Sequence, residues 1–270
     1  MGLTSDSSGH KILNKEFNLK LNKEIPVLAL AGNPNTGKST IFNGLTGLKQ
    51  HTGNWPGKTV TRAQGTFYFK NKKFQLVDLP GTYSLLANST EEKIARDFIC
   101  FARPDVTIIL TDATNLERNL NLVLQIIELT NNVIVCLNFM DEAIRKNIDI
   151  DINGLKKDLQ TPVIPTVARE QKGFKKLKEK IYKIVRREIK INPEVISYSP
   201  EIEKAVKKIK IILNSYYTDL EKYVNLRWLA LRLLEGNTDI LSTINKYYGN
   251  DIKISNYKEI ESEVLTNGIR

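Results

Sequence analysis

The chain has 270 residues, 41% of them apolar, with 40 lysines and arginines against 30 aspartates and glutamates, a net charge of +10. That length and apolar share suffice for one full-sized core and a smaller second one, and no stretch approaches the roughly 18 uninterrupted apolar residues of a membrane-spanning helix. Cys100 and Cys136 are far apart and outside any C-x-x-C pattern, which argues against a disulfide framework and for a buried thiol at Cys136, within the apolar run 133–137.

Residues 1–24 are polar and show no period, and read as a flexible N-terminal arm; they lack the charged and apolar regions of a secretory signal. From 25 to 190 short apolar runs alternate with helical patterns. Strands are expected at 25–31, 65–70, 74–78, 106–111, 133–138 and 163–165, and helices at 38–46, 90–101, 116–129, 153–159 and 174–189. The turn Asn71-Lys72-Lys73 joins the second and third strands as one hairpin, and Ser89 with Glu92 has the spacing of a capping box. This alternation predicts an α/β fold, a mostly parallel sheet with helices on both faces. Asn192-Pro193 breaks the pattern. Beyond it Ser199-Pro200 reads as a helix start, Ile202, Ala205, Ile209, Ile212 and Tyr216 mark one helix face, and Leu226, Leu229, Leu233 and Leu234 mark another that Gly236 closes. A small all-helical domain is expected at 194–270.

The basic excess is concentrated. Residues 171–189 carry 8 Lys/Arg against 2 Asp/Glu, while Phe174, Leu177, Ile181, Ile184 and Val185 recur at helical spacing among them. A solvated helix face explains this run; an anionic surface, lipid or RNA, is the alternative.

The chemistry starts at residues 32–39, Gly-Asn-Pro-Asn-Thr-Gly-Lys-Ser, a complete G-x-x-x-x-G-K-[ST] loop between an apolar strand and a helix start. Backbone N–H groups and the positive helix end face a polyphosphate there. Gly32, Asn33, Asn35, Thr36, Gly37, Lys38, Ser39 and Thr40 are therefore assigned to the nucleotide, with Lys38 at the β- and γ-phosphates and the Ser39 hydroxyl on Mg²⁺. Asp78-Leu79-Pro80-Gly81 ends a strand about 40 residues later. Asp78 is placed to hold Mg²⁺ through water, and the Gly81 N–H to meet the γ-phosphate. Asn138 and Asp141 follow the strand 133–138, and the Asp141 carboxylate suits the paired N1–H and N2–H donors of guanine, which adenine lacks. Phe139 stands where a lysine stem usually covers the purine, so weaker binding is expected. The stretch 166–169 reads as a degraded base loop with the N–H of Ala168 on guanine O6. Between the first two motifs, residues 51–60 contain Gly53, Pro56 and Gly57 and read as a mobile loop, in which Thr59 is the Mg²⁺ ligand that senses the γ-phosphate and Trp55 has no packed element around it. His51 reads as an ordinary surface histidine.

The runs 32–40, 53–60, 78–85, 112–120 and 138–143 together resemble the cytosolic part of the ferrous iron transport protein B family, over roughly residues 25–190, with that family's helical regulatory domain following. Asn-Trp-Pro-Gly-Lys-Thr-Val and Leu-Glu-Arg-Asn-Leu carry the resemblance most specifically. It implies GTP hydrolysis to GDP and activation by K⁺ held by Asn35 and by the carbonyls of Gly53 and Trp55. It also implies a covalently attached transmembrane Fe²⁺ permease, absent from this chain, which then reads as a soluble fragment at the cytoplasmic face of the membrane. Val167 departs from the family, which has Ser there. Self-association stays open, and no nucleic acid is expected as a partner.

No glutamine follows Gly81; Thr82 and Tyr83 stand there, and neither is a general base near neutral pH. Catalysis is assigned to Lys38, Thr59 and Gly81 with the cations, which predicts slow turnover. Glu91 and Glu92 are explained by helix capping and the helix dipole, with support of a water chain as the alternative. The chain therefore reads as a GTP-binding, slowly hydrolysing switch that regulates Fe²⁺ uptake. An RNA- or ribosome-associated GTPase and a module that only binds nucleotide are the competing readings.

Overall fold

The computed structural model describes residues 17, 19, 24–47, 50–86, 88–217, 220–237 and 239–248. Most of the stretch read as an N-terminal arm, and the end of the helical region from 249 onward, lie outside the described residues. The chain divides into two compact units, Met1–Val195 and Ile196–Arg270.

The first unit is built on a seven-stranded sheet: β1 (Val27–Gly32), β2 (Gln50–Asn54), β3 (Thr61–Phe69), β4 (Lys72–Asp78), β5 (Val106–Asp112), β6 (Val133–Asn138) and β7 (Val163–Pro165), in the order β2-β3-β4-β1-β5-β6-β7. Only β3 opposes the others. Every residue of β1 and β6 is buried, the mark of strands covered on both faces. The helices are α1 (Lys38–Thr46), α2 (Thr90–Asp97), α3 (Leu116–Leu129), α4 (Met140–Arg145), α5 (Ile152–Leu159) and α6 (Phe174–Val185). α1 and α6 pack Ile41, Phe42, Phe174, Leu177 and Ile181 onto Leu28, Leu30, Leu76 and Ile108 of the sheet. β1 lies between β4 and β5, parallel to both, and the chain after β1 runs to one side, to β2, while the chain after β4 crosses to the other, to β5. A crevice opens at the carboxyl end of β1, and the 32–39 loop lies in it.

The strands expected from sequence are found within a few residues, β3 starting four residues early. The helix expected at 90–101 changes character at Phe98–Ala102, where a π-helical turn ends at Arg103 in the left-handed conformation. Ser89 caps α2 by accepting from the Glu92 N–H at 3.1 Å, and the Glu92 carboxylate accepts from the Asn88 N–H at 2.9 Å. Both cysteines are buried, and burial pushes the Cys136 thiol up to about 12.

Three expectations need correction. Residues 50–54 form strand β2, in register with β3 from Gln50↔Gly65 to Asn54↔Thr61; its polar Gln-His-Thr-Gly-Asn sequence has no alternation to announce it. Trp55, read as lacking a packed surround, is 2% exposed. Its ring meets Phe17 edge-on at 5.8 Å and Phe98 at 5.7 Å, with the Arg62 guanidinium 5.8 Å above it. Phe17 and Leu19, assigned to the flexible arm, are themselves buried, and the Phe17 carbonyl accepts from the Arg62 side chain. Phe17→Ala should lower stability by about 3 kcal/mol, as loss of a buried aromatic does. In a Trp228→Phe background the emission of Trp55 should also move to longer wavelength; an unshifted spectrum would mean that Phe17 does not seal this pocket.

The second unit holds α7 (Pro200–Tyr216), α8 (Leu226–Leu234) and α9 (Asp239–Tyr248). Ser199 caps α7, and Asn225 caps α8 by accepting from the Arg227 and Trp228 N–H groups. The buried positions of α7 are Val206, Ile209 and Leu213; of the row begun at Ile202 only Ile209 is buried, Ala205, Ile212 and Tyr216 are half-buried, and Ile202 is 39% exposed. Both rows have helical spacing, and packing against α8 selects between them. Glu203 on α7 and Arg227 on α8 form an ion pair at 2.6 Å. Among the described residues no helix is long and apolar enough to cross a membrane.

Candidate functional site

The loop after β1 turns through Asn35 at φ 65° and Gly37 at φ 89°, both left-handed. Gly37 precedes α1 and no side chain caps that helix, so its first N–H groups stay open to a ligand. Lys38 folds back over the loop, its Nζ donating to the carbonyls of Gly32 at 3.2 Å and Asn33 at 3.1 Å. Burial holds its pKa below the usual lysine value, opposed by the charge of Asp78. Gly81 closes on this group from the other side: a Cβ there would fall 2.8 Å from the Lys38 Nζ and 3.3 Å from Pro34. The Thr82 N–H reaches the Gly32 carbonyl at 3.4 Å, and the Leu79 N–H reaches that of Leu30 at 3.0 Å. Parallel pairing of β4 with β1 thus brings the second motif against the first.

Asp78 is pushed up to about 6 by burial, partly offset by Lys38, and its Oδ1 is buried with no hydrogen-bond partner among the described residues. A buried carboxylate oxygen with open lone pairs beside a phosphate loop fits a hydrated divalent cation, and the Ser39 hydroxyl at the exposed start of α1 fits as a second ligand.

Asn138 ties the phosphate end to the base end. Its Nδ2 donates to the Thr36 carbonyl at 3.0 Å, and its Oδ1 accepts from the Ala168 N–H at 3.0 Å and the Thr166 hydroxyl at 3.3 Å. Glycine is required opposite it, because a Cβ on Gly37 would lie 2.4 Å from the Asn138 amide nitrogen at a φ that side chains avoid. Phe139 is left-handed and begins the turn into α4; its ring tip is 3.5 Å from that same point, so it lies against the phosphate loop. Asp141, in the first turn of α4, is ion-paired with Arg169.

Several assigned residues stand differently from the expectation. The Ala168 N–H is already engaged by Asn138, so it is not open to guanine O6. The Asn33 side chain points inward, 2% exposed with neither amide atom paired among the described residues, and this residue offers its carbonyl to the site instead. Gly53, Trp55 and Thr59 are not brought to the phosphate loop. They lie on or beyond β2, which β3 and β4 separate from β1. The Trp55 carbonyl accepts the Lys58 N–H at 2.9 Å within the turn, and Thr59 is exposed. Asn35 and Thr40 are exposed at the mouth of the loop and Thr36 is buried beneath it. Sequence reasoning passed over Arg169, whose one signal was a basic residue at the end of the degraded base loop. It also missed the ties that hold residues 82–86 to α3: Arg118 over the Tyr83 ring at 4.2 Å, and the Leu85 N–H on Gln125 at 2.7 Å.

A family profile described as Ferrous iron transport protein B matches residues 26–181, and a second, described as FeoB cytosolic helical domain, matches residues 198–266. The chain is similar to the Fe(2+) transporter FeoB of Methanocaldococcus jannaschii, 45% identical over 227 residues that cover 84% of this chain and 33% of that protein. To the Fe(2+) transporter FeoB of Escherichia coli strain K12 it is 40% identical over 214 residues, covering 78% of this chain and 27% of that protein. The chain thus spans about a third or less of the length of these curated relatives. Among solved structures, the cytosolic domain of the T. maritima FeoB iron transporter in a GDP form matches with a TM-score of 0.74 at 34% identity, over 91% of this chain and 96% of that one.

Proposed function

The chain belongs to the ferrous iron transport protein B family, and from that membership we propose that it is the guanine-nucleotide switch of a ferrous iron transporter, binding GTP and hydrolysing it slowly to GDP. The observation that carries this reading is Asn138, which hydrogen-bonds at once to the phosphate loop and to the base loop, with the Asp141 carboxylate three residues on. Open N–H groups at the start of α1 and the ammonium of Lys38 face the phosphates; Asp141 faces the N1 and N2 edge of the base. Ser39 and Asp78 would hold Mg²⁺, with Thr59 joining only after the 55–60 turn rearranges. Mg²⁺ and K⁺ would supply positive charge to the phosphate oxygens as negative charge develops there. The relatives' greater length agrees with an attached membrane domain that this unit regulates from the cytoplasmic face. An RNA-associated role is not favoured, since both halves of the chain match one transporter family.

Titration with GDP, GTP and ADP, followed by phosphate release, tests the core of this reading. Guanine nucleotides should bind and be turned over slowly; equal affinity for ADP would overturn it. Potassium is tested separately. Asn35 is exposed at the mouth of the loop with a left-handed backbone, and Gly53 and Trp55 would complete the cation's shell only if the β2 turn moved. Hydrolysis should be faster in KCl than in NaCl at equal ionic strength, on the order of tenfold, which is about 1.4 kcal/mol of transition-state stabilisation. Asn35→Ala should erase the difference. Equal rates in the two salts for the unaltered protein would remove K⁺ from the scheme.

A further inference from the structure

The carboxylate assigned to base selection is not open. Asp141, its side chain 21% exposed, carries the guanidinium of Arg169 as a counter-ion, and Arg169 is itself 60% exposed. Arg169 lies in the short turn Ala168–Glu170 after β7, the turn whose first N–H holds Asn138. One loop therefore shapes the base pocket and delivers a cation to the group that reads the base. Among the described residues Lys172 also lies near Asp141, but it is engaged by Glu170 at 2.7 Å. Glu142, next on the α4 turn, pairs with Arg145 at 3.5 Å. This leaves Arg169 as the partner of Asp141.

Guanine and guanidinium make the same demand. Each presents a planar edge of N–H donors, and each needs the lone pairs of one carboxylate. We propose that Arg169 is a competing counter-ion for the guanine base: it holds Asp141 while the site is empty, is displaced when guanine enters, and returns to hasten release. This rests on the guanine reading of the site. In consequence nucleotide entry is an exchange of partners on Asp141, and Arg169 lowers affinity without touching the phosphates. Because the pair is partly exposed the effect is modest, about two- to fivefold in affinity. It should lie mainly in the off-rate, where most affinity differences between related complexes lie.

The test is a cycle of variants on the whole chain, read by displacement of a fluorescent GDP and by its dissociation rate. Arg169→Ala and Arg169→Gln should each bind GDP about two- to fivefold tighter than the unaltered protein, with slower release. In an Asp141→Asn background, assayed with XDP, Arg169→Ala should change nothing, since no carboxylate remains for it to hold. GDP affinity that is unchanged or weaker in Arg169→Ala would overturn the competition while leaving guanine selection intact. An equal gain for XDP in the Asp141→Asn background would also overturn it, because the gain would not pass through the carboxylate. No preference for GDP over ADP in the unaltered protein would instead mean that the guanine reading had failed, and the competition with it.

Discussion

Asp141→Asn should move nucleotide preference from guanine to xanthine. A carboxylate accepts from both N1–H and the N2 amine of guanine, and two hydrogen bonds to a charged acceptor are worth about 1.5–3 kcal/mol each. Asparagine keeps an acceptor but places an NH₂ where the guanine amine also donates. GDP affinity should therefore fall by about 10²–10³-fold. XDP, with a carbonyl at that position, should gain. The fold should not suffer: Asp141 sits in the first turn of α4, and its ion pair with Arg169 is partly exposed, the kind whose loss costs about 1 kcal/mol or less. Melting temperature and the two titrations together check this. GDP affinity within threefold or so of the unaltered protein would separate Asp141 from the base.

Lys38→Ala should lower GTP turnover by about 10²–10³-fold, the usual consequence of removing one pre-organised donor from a developing oxyanion. Lys38 Nζ is held at the loop by two carbonyls, close to the buried carboxylate of Asp78. Its removal takes away a positive charge next to the phosphates and leaves Asp78 to repel them. Arginine should not rescue the activity. The guanidinium is larger and planar, and Gly81 already approaches so closely that a Cβ there would be 2.8 Å from the present ammonium. Single-turnover phosphate release under saturating GTP provides the measurement, and a loss of less than tenfold would show that the charge is supplied elsewhere.

The correspondence between sequence and structure is uneven for a physical reason. Glu92 lies three residues after Ser89, and the cap forms as expected because the contact is local. α4 at Met140–Arg145 was missed because six residues are too few for a period to show. β2 is not legible because its sequence is polar and residues 51–54 are exposed; only its hydrogen bonds to β3 make it a strand. The face of α7 is only partly legible: Ile209 is buried as expected, but Val206 and Leu213 take the core positions on either side of it, because apolar residues stand on both sides of Ile209 at helical spacing and only the neighbouring helix distinguishes them.

By itself the sequence determined the mostly parallel α/β sheet, the helical region after it and the family. Burial on both faces demands continuous apolar runs, and a phosphate loop demands its residues at consecutive positions, so each leaves a contiguous trace. Tertiary structure decided what depends on residues distant in the chain. It placed Trp55 between Phe17 and Phe98, engaged the Ala168 N–H with Asn138 across 30 positions, and gave Asp141 the partner Arg169. Each of these contacts follows from strand order and loop packing, which no local pattern encodes.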